Sequence, residues 1–397
     1  MKITSIDILL IDFPLPYKDG GVHPWRPLLV KINTDEGIYG LGEVGMAYGV
    51  GATAGWGMAK DLAGMLIGRD PMNIERIWDD MMRKTFWGQG GGTAVFGGMS
   101  GIDMALWDIR GKALGVPIYK LLGGRCNEKL RTYASQIQLG WNNKYRESLA
   151  TPEEYAEAAR MAVADGYDAL KVDVLTWNER REKMETYIGI LPGSVVNMAE
   201  SRIAAIRGAV GPNVDIIVEC HCYTDTTNAI QLGRIYEKYN IMFIEEINAP
   251  LNPSLTKCFK DKVDIPVAAG ERIYTRWGYL PFFKDRSLDV IQPDLGTCGG
   301  LSEGKKIADM AHAYDITVQA HVCGSPIAIA AALHLETAIP NFCIHEHHRN
   351  ALLPQNIELC VHDYQPVNGF CMAPELPGLG QDLTEKAYAL AQKVTIQ

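Results

Sequence analysis

The residues able to do chemistry recur at a regular spacing in the second half of the chain. Glu219, Glu245, Glu271, Asp294, His321 and Glu346 each close a short apolar run, roughly every 25 residues. A carboxylate that ends an apolar strand is costly to bury without a partner. Three in one register must share protons or surround a cation, and oxygen donors suit a hard ion such as Mg²⁺. Independent ion pairs at a rim would not produce that register. Two histidines add proton chemistry. His221 lies two residues after Glu219, so strand alternation points both side chains to one side. His321 ends the run that follows Asp294's, so neighbouring strands would set the carboxylate against an imidazole nitrogen and orient a base. Lys171 and Asp173 end an earlier run in the same way. The pattern offers an acid, a base and a cation in one place.

Other motifs fit their chemistry less well. Gly40-Leu41-Gly42-Glu43-Val44-Gly45 matches G-x-G-x-x-G but ends a hairpin strand and does not open a helix, which argues against dinucleotide binding. Alternation turns Cys220 and Cys222 away from His221, against a zinc site. His345-Glu346-His347-His348 has Arg349 where a metalloprotease helix needs its second histidine.

The elements that must position these residues read as two units. Residues 3–12 alternate, and Pro27–Asn33 and Tyr39–Val44 flank the turn Thr34-Asp35-Glu36-Gly37. Helical patterns follow at 51–68, 73–84 and 93–115, describing an α+β unit. From Arg131 onward, eight short strands alternate with helices: Thr132–Ser135, Ala169–Val174, Asp215–His221, Met242–Ile247, Pro266–Glu271, Val290–Asp294, Thr317–His321 and Cys343–His347. Eight such units predict a barrel whose site lies at the strands' C-terminal ends. Leu175–Ala199 reads as a long insertion between the second strand and its helix. Residues 363–397 end in a helix-like stretch and are expected to pack back on the first unit.

Composition bounds the remaining possibilities. The chain has 397 residues, 47% hydrophobic and 21% charged, with a net charge of −9 and no basic block. Nucleic acid and acidic membranes are therefore not expected partners. Nine scattered cysteines without a C-x-x-C pair fit a reducing compartment, and the alternating N-terminus does not read as a signal peptide. A cytoplasmic, multi-domain protein is the expectation.

Several longer motifs carry a resemblance. They are Gly40-Leu41-Gly42-Glu43, Ile102–Asp108 with Leu121-Leu122-Gly123-Gly124, Phe243-Ile244-Glu245-Glu246, Ala269-Gly270-Glu271-Arg272, Gln292-Pro293-Asp294 with Gly299-Gly300, and Pro377-Gly378-Leu379-Gly380. Along nearly the whole chain they resemble the enolase superfamily, in its mandelate racemase/muconate lactonizing enzyme branch. The resemblance implies an α/β fold: an α+β capping domain over residues 1–128, completed by 363–397, above a modified (β/α)7β TIM-like barrel over 129–362. It implies one Mg²⁺ held by Glu219, Glu245 and Glu271.

Glu219-Cys220-His221 with the Asp294/His321 pair is most similar to the D-galactonate dehydratase type. That similarity implies His221 as proton donor, His321 as base and Glu346 as a stabiliser of the intermediate. Lys171-Val172-Asp173 lacks the second lysine of the K-x-K base found in other members. Two departures, Glu219 for the usual Asp and Ile247 for the usual Pro, remove no ligand. The expected activity is dehydration of a sugar acid, an aldonate such as galactonate. The C2 proton is abstracted to a metal-stabilised enediolate and the C3 hydroxyl leaves, giving a 2-keto-3-deoxy acid. Epimerisation, racemisation or cycloisomerisation through the same enolate is the alternative, and binding without turnover a third reading. Lys171, Asp173, His23 and Trp25 are expected to touch substrate, specificity to come from loops at 23–26, 46–51 and 175–199, and the protein to form a homo-oligomer.

Overall fold

The computed structural model describes residues 1–397. It begins with strands β1 (Ile3–Ile11), β2 (Phe13–Pro16), β3 (Val22–Trp25), β4 (Leu28–Thr34) and β5 (Tyr39–Val44), then helices α1 (Ala52–Ala63), α2 (Ile74–Lys84), α3 (Thr93–Leu114) and α4 (Ile118–Leu121). β1, β4 and β5 form an antiparallel sheet, while β2 and β3 make a separate hairpin. α3 lies so close on β5 that a Cβ at Gly40 or Gly42 would stand 2.0 Å from the carbonyl oxygens of Ala105 and Gly101. The G-x-G pattern therefore makes room for a helix, not for a phosphate.

The barrel follows. Its strands are β6 (Leu130–Ser135), β7 (Ala169–Val172), β8 (Asp215–Glu219), β9 (Ile241–Glu245), β10 (Val267–Ala269), β11 (Val290–Ile291), β12 (Thr317–Val318) and β13 (His345–His348). They pair in sequence order from β6 to β12, and β13 pairs with β6. Val318 N–H donates to Asn341 O and Cys343 N–H to Val318 O, both at 2.8 Å, which joins β12 to the chain entering β13 and closes the ring.

Between the strands lie α5 (Pro152–Ala164), α6 (Gly193–Val210), α7 (Thr226–Tyr236), α8 (Pro253–Lys260), α9 (Thr275–Asp285), α10 (Gly300–His312) and α11 (Pro326–Ala338). Eight strands with seven helices between them are a (β/α)7β barrel. α5 and α11 open on capping hydroxyls, Thr151 and Ser325, each followed by proline. No helix is long and apolar enough to cross a membrane.

Two expectations need correction. The insertion after the second strand stops at Pro192, because α6 begins at Gly193 and buries Val196, Ala199, Ile203 and Ile206 at helical spacing. The C-terminal stretch does not end in a helix. After α12 (Pro354–Ile357), β14 (Phe370–Cys371) and the short α13 (Glu385–Leu390), the chain ends in β15 (Ala391–Ile396), antiparallel to β1. The alternating Lys393-Val394-Thr395-Ile396 extends the first sheet and lays the half-buried Val394 and Ile396 against its core.

Cap and barrel are joined by buried polar contacts. Asp103 accepts from Ser302 N–H at 2.9 Å and from its hydroxyl at 2.6 Å. Glu43, fully buried, accepts from the Ser325 hydroxyl at 2.6 Å and from Ala328 N–H at 3.2 Å, at the N-terminus of α11. Burial nevertheless pushes the Glu43 carboxyl from its ordinary 4.5 up to about 7. The folded chain therefore holds a proton there that the unfolded chain has lost, so stability falls as pH rises from 4.5 to about 7. Glu43→Gln is expected to flatten that fall by up to about 3 kcal/mol, read from denaturant midpoints across the window. An unchanged pH slope would contradict it.

Candidate active site

The acidic groups converge at the C-terminal ends of the strands. Glu219 and Glu245 end β8 and β9 and are register partners. Oε2 of each is buried and makes no hydrogen bond, though that of Glu219 lies 3.3 Å from Lys171 Nζ. Lys171 points up from β7 beneath them. Its Nζ lies 3.3 Å from Glu219, 2.7 Å from Glu245 and 2.9 Å from Glu346, and the side chain is 1% exposed. Burial works against its charge, but Glu245 and Glu346 more than offset that and hold it well above the ordinary lysine value. Lys171 thus neutralises the carboxylates from below. Burial and the nearby Glu219 charge push Glu245 well up, as expected of two carboxylates sharing one space.

Glu271 stands at the end of the next strand, turned to other partners: Arg272 at 2.6 Å and His321 Nε2 at 3.0 Å. Arg272 also lies against Glu246. As the side chains stand, no three His, Cys, Asp or Glu close a cage that could hold an ion. The Oε2 atoms of Glu219 and Glu245, neither of which makes a hydrogen bond, with a third carboxylate on the adjoining strand, are nonetheless a donor set that fits a hard cation.

Each histidine has a carboxylate behind it. His321 Nδ1 is 2.7 Å from Asp294 Oδ2, and His221 Nδ1 is 2.6 Å from Asp173 Oδ2. Both pairs leave Nε2 toward the carboxylates. Glu271 and Asp294 together overcome the effect of burial and hold His321 well above the ordinary imidazole value. Glu219 and Asp173 do the same for His221, raised to about 9. β8 and β12 are four strands apart in an eight-strand ring, so the two imidazoles approach from opposite sides.

His221 reaches this position by a route the alternation argument missed. β8 stops at Glu219, and His221 and Cys222 have φ of 44° and 57°, so a left-handed turn folds the imidazole back. The His221 N–H then donates to Glu219 Oε1 at 2.7 Å. Gln136 (φ 71°) and Glu246 (φ 49°) take the same strained backbone just after β6 and β9. Propensity gives no hint of such turns.

The expected substrate contacts separate. Lys171 and Asp173 are buried under the carboxylates and His221, and Trp25 is buried with Nε1 donating to Asn356 at 3.3 Å. As placed, all three are engaged with protein partners. His23, from the β2–β3 hairpin, stands at the mouth with its ring 5.0 Å from Tyr48. Glu346 accepts from the Ser135 hydroxyl at 2.6 Å and from Val322 N–H at 2.9 Å. Sequence reasoning overlooked Ser135, Gln136 and His348, which end β6 and β13. β6 and β13 pair in register, so the rule applied to the other strand ends would have found them.

Comparison with known proteins agrees with this architecture. Residues 10–123 match the family model "Mandelate racemase / muconate lactonizing enzyme, N-terminal domain", and residues 154–387 match "Enolase C-terminal domain-like". The chain belongs to the mandelate racemase/muconate lactonizing enzyme family of the enolase superfamily. It is 34% identical to a D-galactonate dehydratase of Ralstonia nicotianae, over 91% of this chain and 90% of that one. It is 30% identical to a D-xylonate dehydratase of Haloferax volcanii, over 96% and 87%. A solved structure of an enolase superfamily member from Salmonella Typhimurium superposes with a TM-score of 0.95, at 57% identity over the whole of both chains.

Proposed function

We propose that this protein is a Mg²⁺-dependent sugar acid dehydratase, with galactonate the first substrate to test. The observation that carries the reading is the pair of carboxylate-backed imidazoles facing each other across three acidic strand ends. The dehydratase names of the two relatives support the same chemistry. Glu219, Glu245 and Glu271 would hold the ion. Mg²⁺ there supplies positive charge where the substrate carboxylate accumulates negative charge on losing its α-proton. A cation on Glu271 would take that carboxylate from His321 and leave its Nε2 free.

His321, held from behind by Asp294, takes the proton from C2 of the acid. His221, held by Asp173, gives a proton to the departing C3 hydroxyl from the opposite side. Glu346, fixed by Lys171, Ser135 and Val322, is assigned the stabilisation of the intermediate. The enol that forms tautomerises to a 2-keto-3-deoxy acid. Incubating the Mg²⁺-loaded protein with hexonates, pentonates and aldarates should yield such a product from at least one of them. No product from any would sink the proposal.

Asp173 acts through His221. Asp173→Asn is expected to lower kcat about 100-fold while KM changes little, because the ring loses its orientation and not its substrate contacts. A loss confined to KM would contradict this.

A further inference from the structure

The proposed reaction leaves two buried cations near the barrel mouth without a role. Arg146 is 2% exposed and Arg349 fully buried. Nε and Nη1 of Arg146 and both Nη atoms of Arg349 are buried without a hydrogen-bond partner. Glu147, beside them, is taken by Lys18 at 2.9 Å and Asn142 at 3.2 Å. The two arginines flank one turn: Arg349 Nε donates to Gly140 O at 3.2 Å, and Glu147 N–H, next to Arg146, donates to Leu139 O at 2.7 Å. Burial and the Arg146 charge lower Arg349 to about 9. A buried charge is normally paired. The acids nearest Arg146, Glu147 and Glu154, are bonded to Lys18 and Arg181, and neither bonds these four guanidinium nitrogens.

The cations adjoin the candidate active site. His348 precedes Arg349 and shares a face of β13 with Glu346, two residues or about 6.6 Å away along the strand. That is close to the reach of a six-carbon chain. His348 Nδ1 accepts from Asn350 N–H at 3.0 Å, so the neutral ring carries its proton on Nε2. The same turn leads back to Gln136, whose Nε2 is 3.4 Å from His221 Nε2. From the cap, the Tyr17 ring lies 5.3 Å from the Arg146 guanidinium, and His23 Nε2 is buried without a partner.

We propose that Arg146 and Arg349, with His348 and His23, bind a second anionic group at the far end of the substrate. The preferred substrate would then be a doubly anionic sugar acid, either an aldarate or a phosphate ester of an aldonate. The guanidinium fork suits both oxyanions. This rests on the sugar acid reading for the near end of the molecule only.

The test compares aldonate, aldarate and phosphoaldonate of one configuration on the Mg²⁺-loaded enzyme. One of the doubly anionic acids should exceed the aldonate in kcat/KM by about 100-fold. Whichever does so identifies the far group as carboxylate or phosphate. Arg146→Gln should reduce that ratio to near one, and Arg146→Lys should keep part of it. Calorimetric titration of the His321→Asn protein with the same acids reads binding without turnover and should show the same preference. Equal affinity and equal kcat/KM for singly and doubly charged acids would overturn the proposal and leave dehydration intact. A preference that survives Arg146→Gln would overturn it too. Preferential binding with no turnover of any acid would retain the anion pocket and sink the dehydratase.

Discussion

Replacing His321 with asparagine is expected to lower kcat about 10⁴-fold and to stop loss of the C2 hydrogen from the sugar acid. Asparagine can still bond to Asp294, so the loss falls on proton transfer and not on folding. No other group on that side can substitute. Lys171 is fully engaged beneath Glu219, Glu245 and Glu346, and His221 stands across the ring. Steady-state kinetics and proton NMR of the substrate in deuterated water check this together. Loss of the C2 hydrogen at the wild-type rate in the variant would place the base elsewhere.

Lys171→Met is expected to be the most destabilising single change in the site. It leaves three buried carboxylates facing one another without the cation that now separates them. Breaking a buried ion pair from one side costs about 3–5 kcal/mol. Equilibrium unfolding without divalent metal reads the loss. Added Mg²⁺ should restore more stability to the variant than to the parent, because a bound cation replaces part of the missing charge. Unchanged stability would show that the lysine does not hold the carboxylates together. A strand-end lysine in this position invites assignment as a substrate contact or base. Its 1% exposure instead makes it the counter-charge for the acidic floor.

The barrel was legible because period and spacing report directly on βα units, and the strand ends Glu219, Glu245, Glu271, Asp294 and His321 follow from counting them. The Asp294–His321 pair was legible because parallel neighbours in register bring their ends together. What remained hidden depends on backbone that leaves the strand. His221 comes back over Glu219 only through two left-handed residues, and Asp173 lies behind His221 because of that turn. Trp25 could not be told from a mouth residue, since an aromatic in a short hairpin reads alike whether it faces a ligand or the core. The terminal strand was hidden because six residues beside a short helix carry too little period to separate the two.

The central claim is that a C2 proton is removed from a sugar acid and a C3 hydroxyl eliminated between two opposed imidazoles. Proton NMR of the Mg²⁺-loaded protein turning over a sugar acid in deuterated water tests it most directly. The account predicts a 2-keto-3-deoxy product carrying one solvent deuteron at C3, with one water released per turnover. Exchange or inversion at C2 with the C3 hydroxyl retained would contradict it and point to an epimerase.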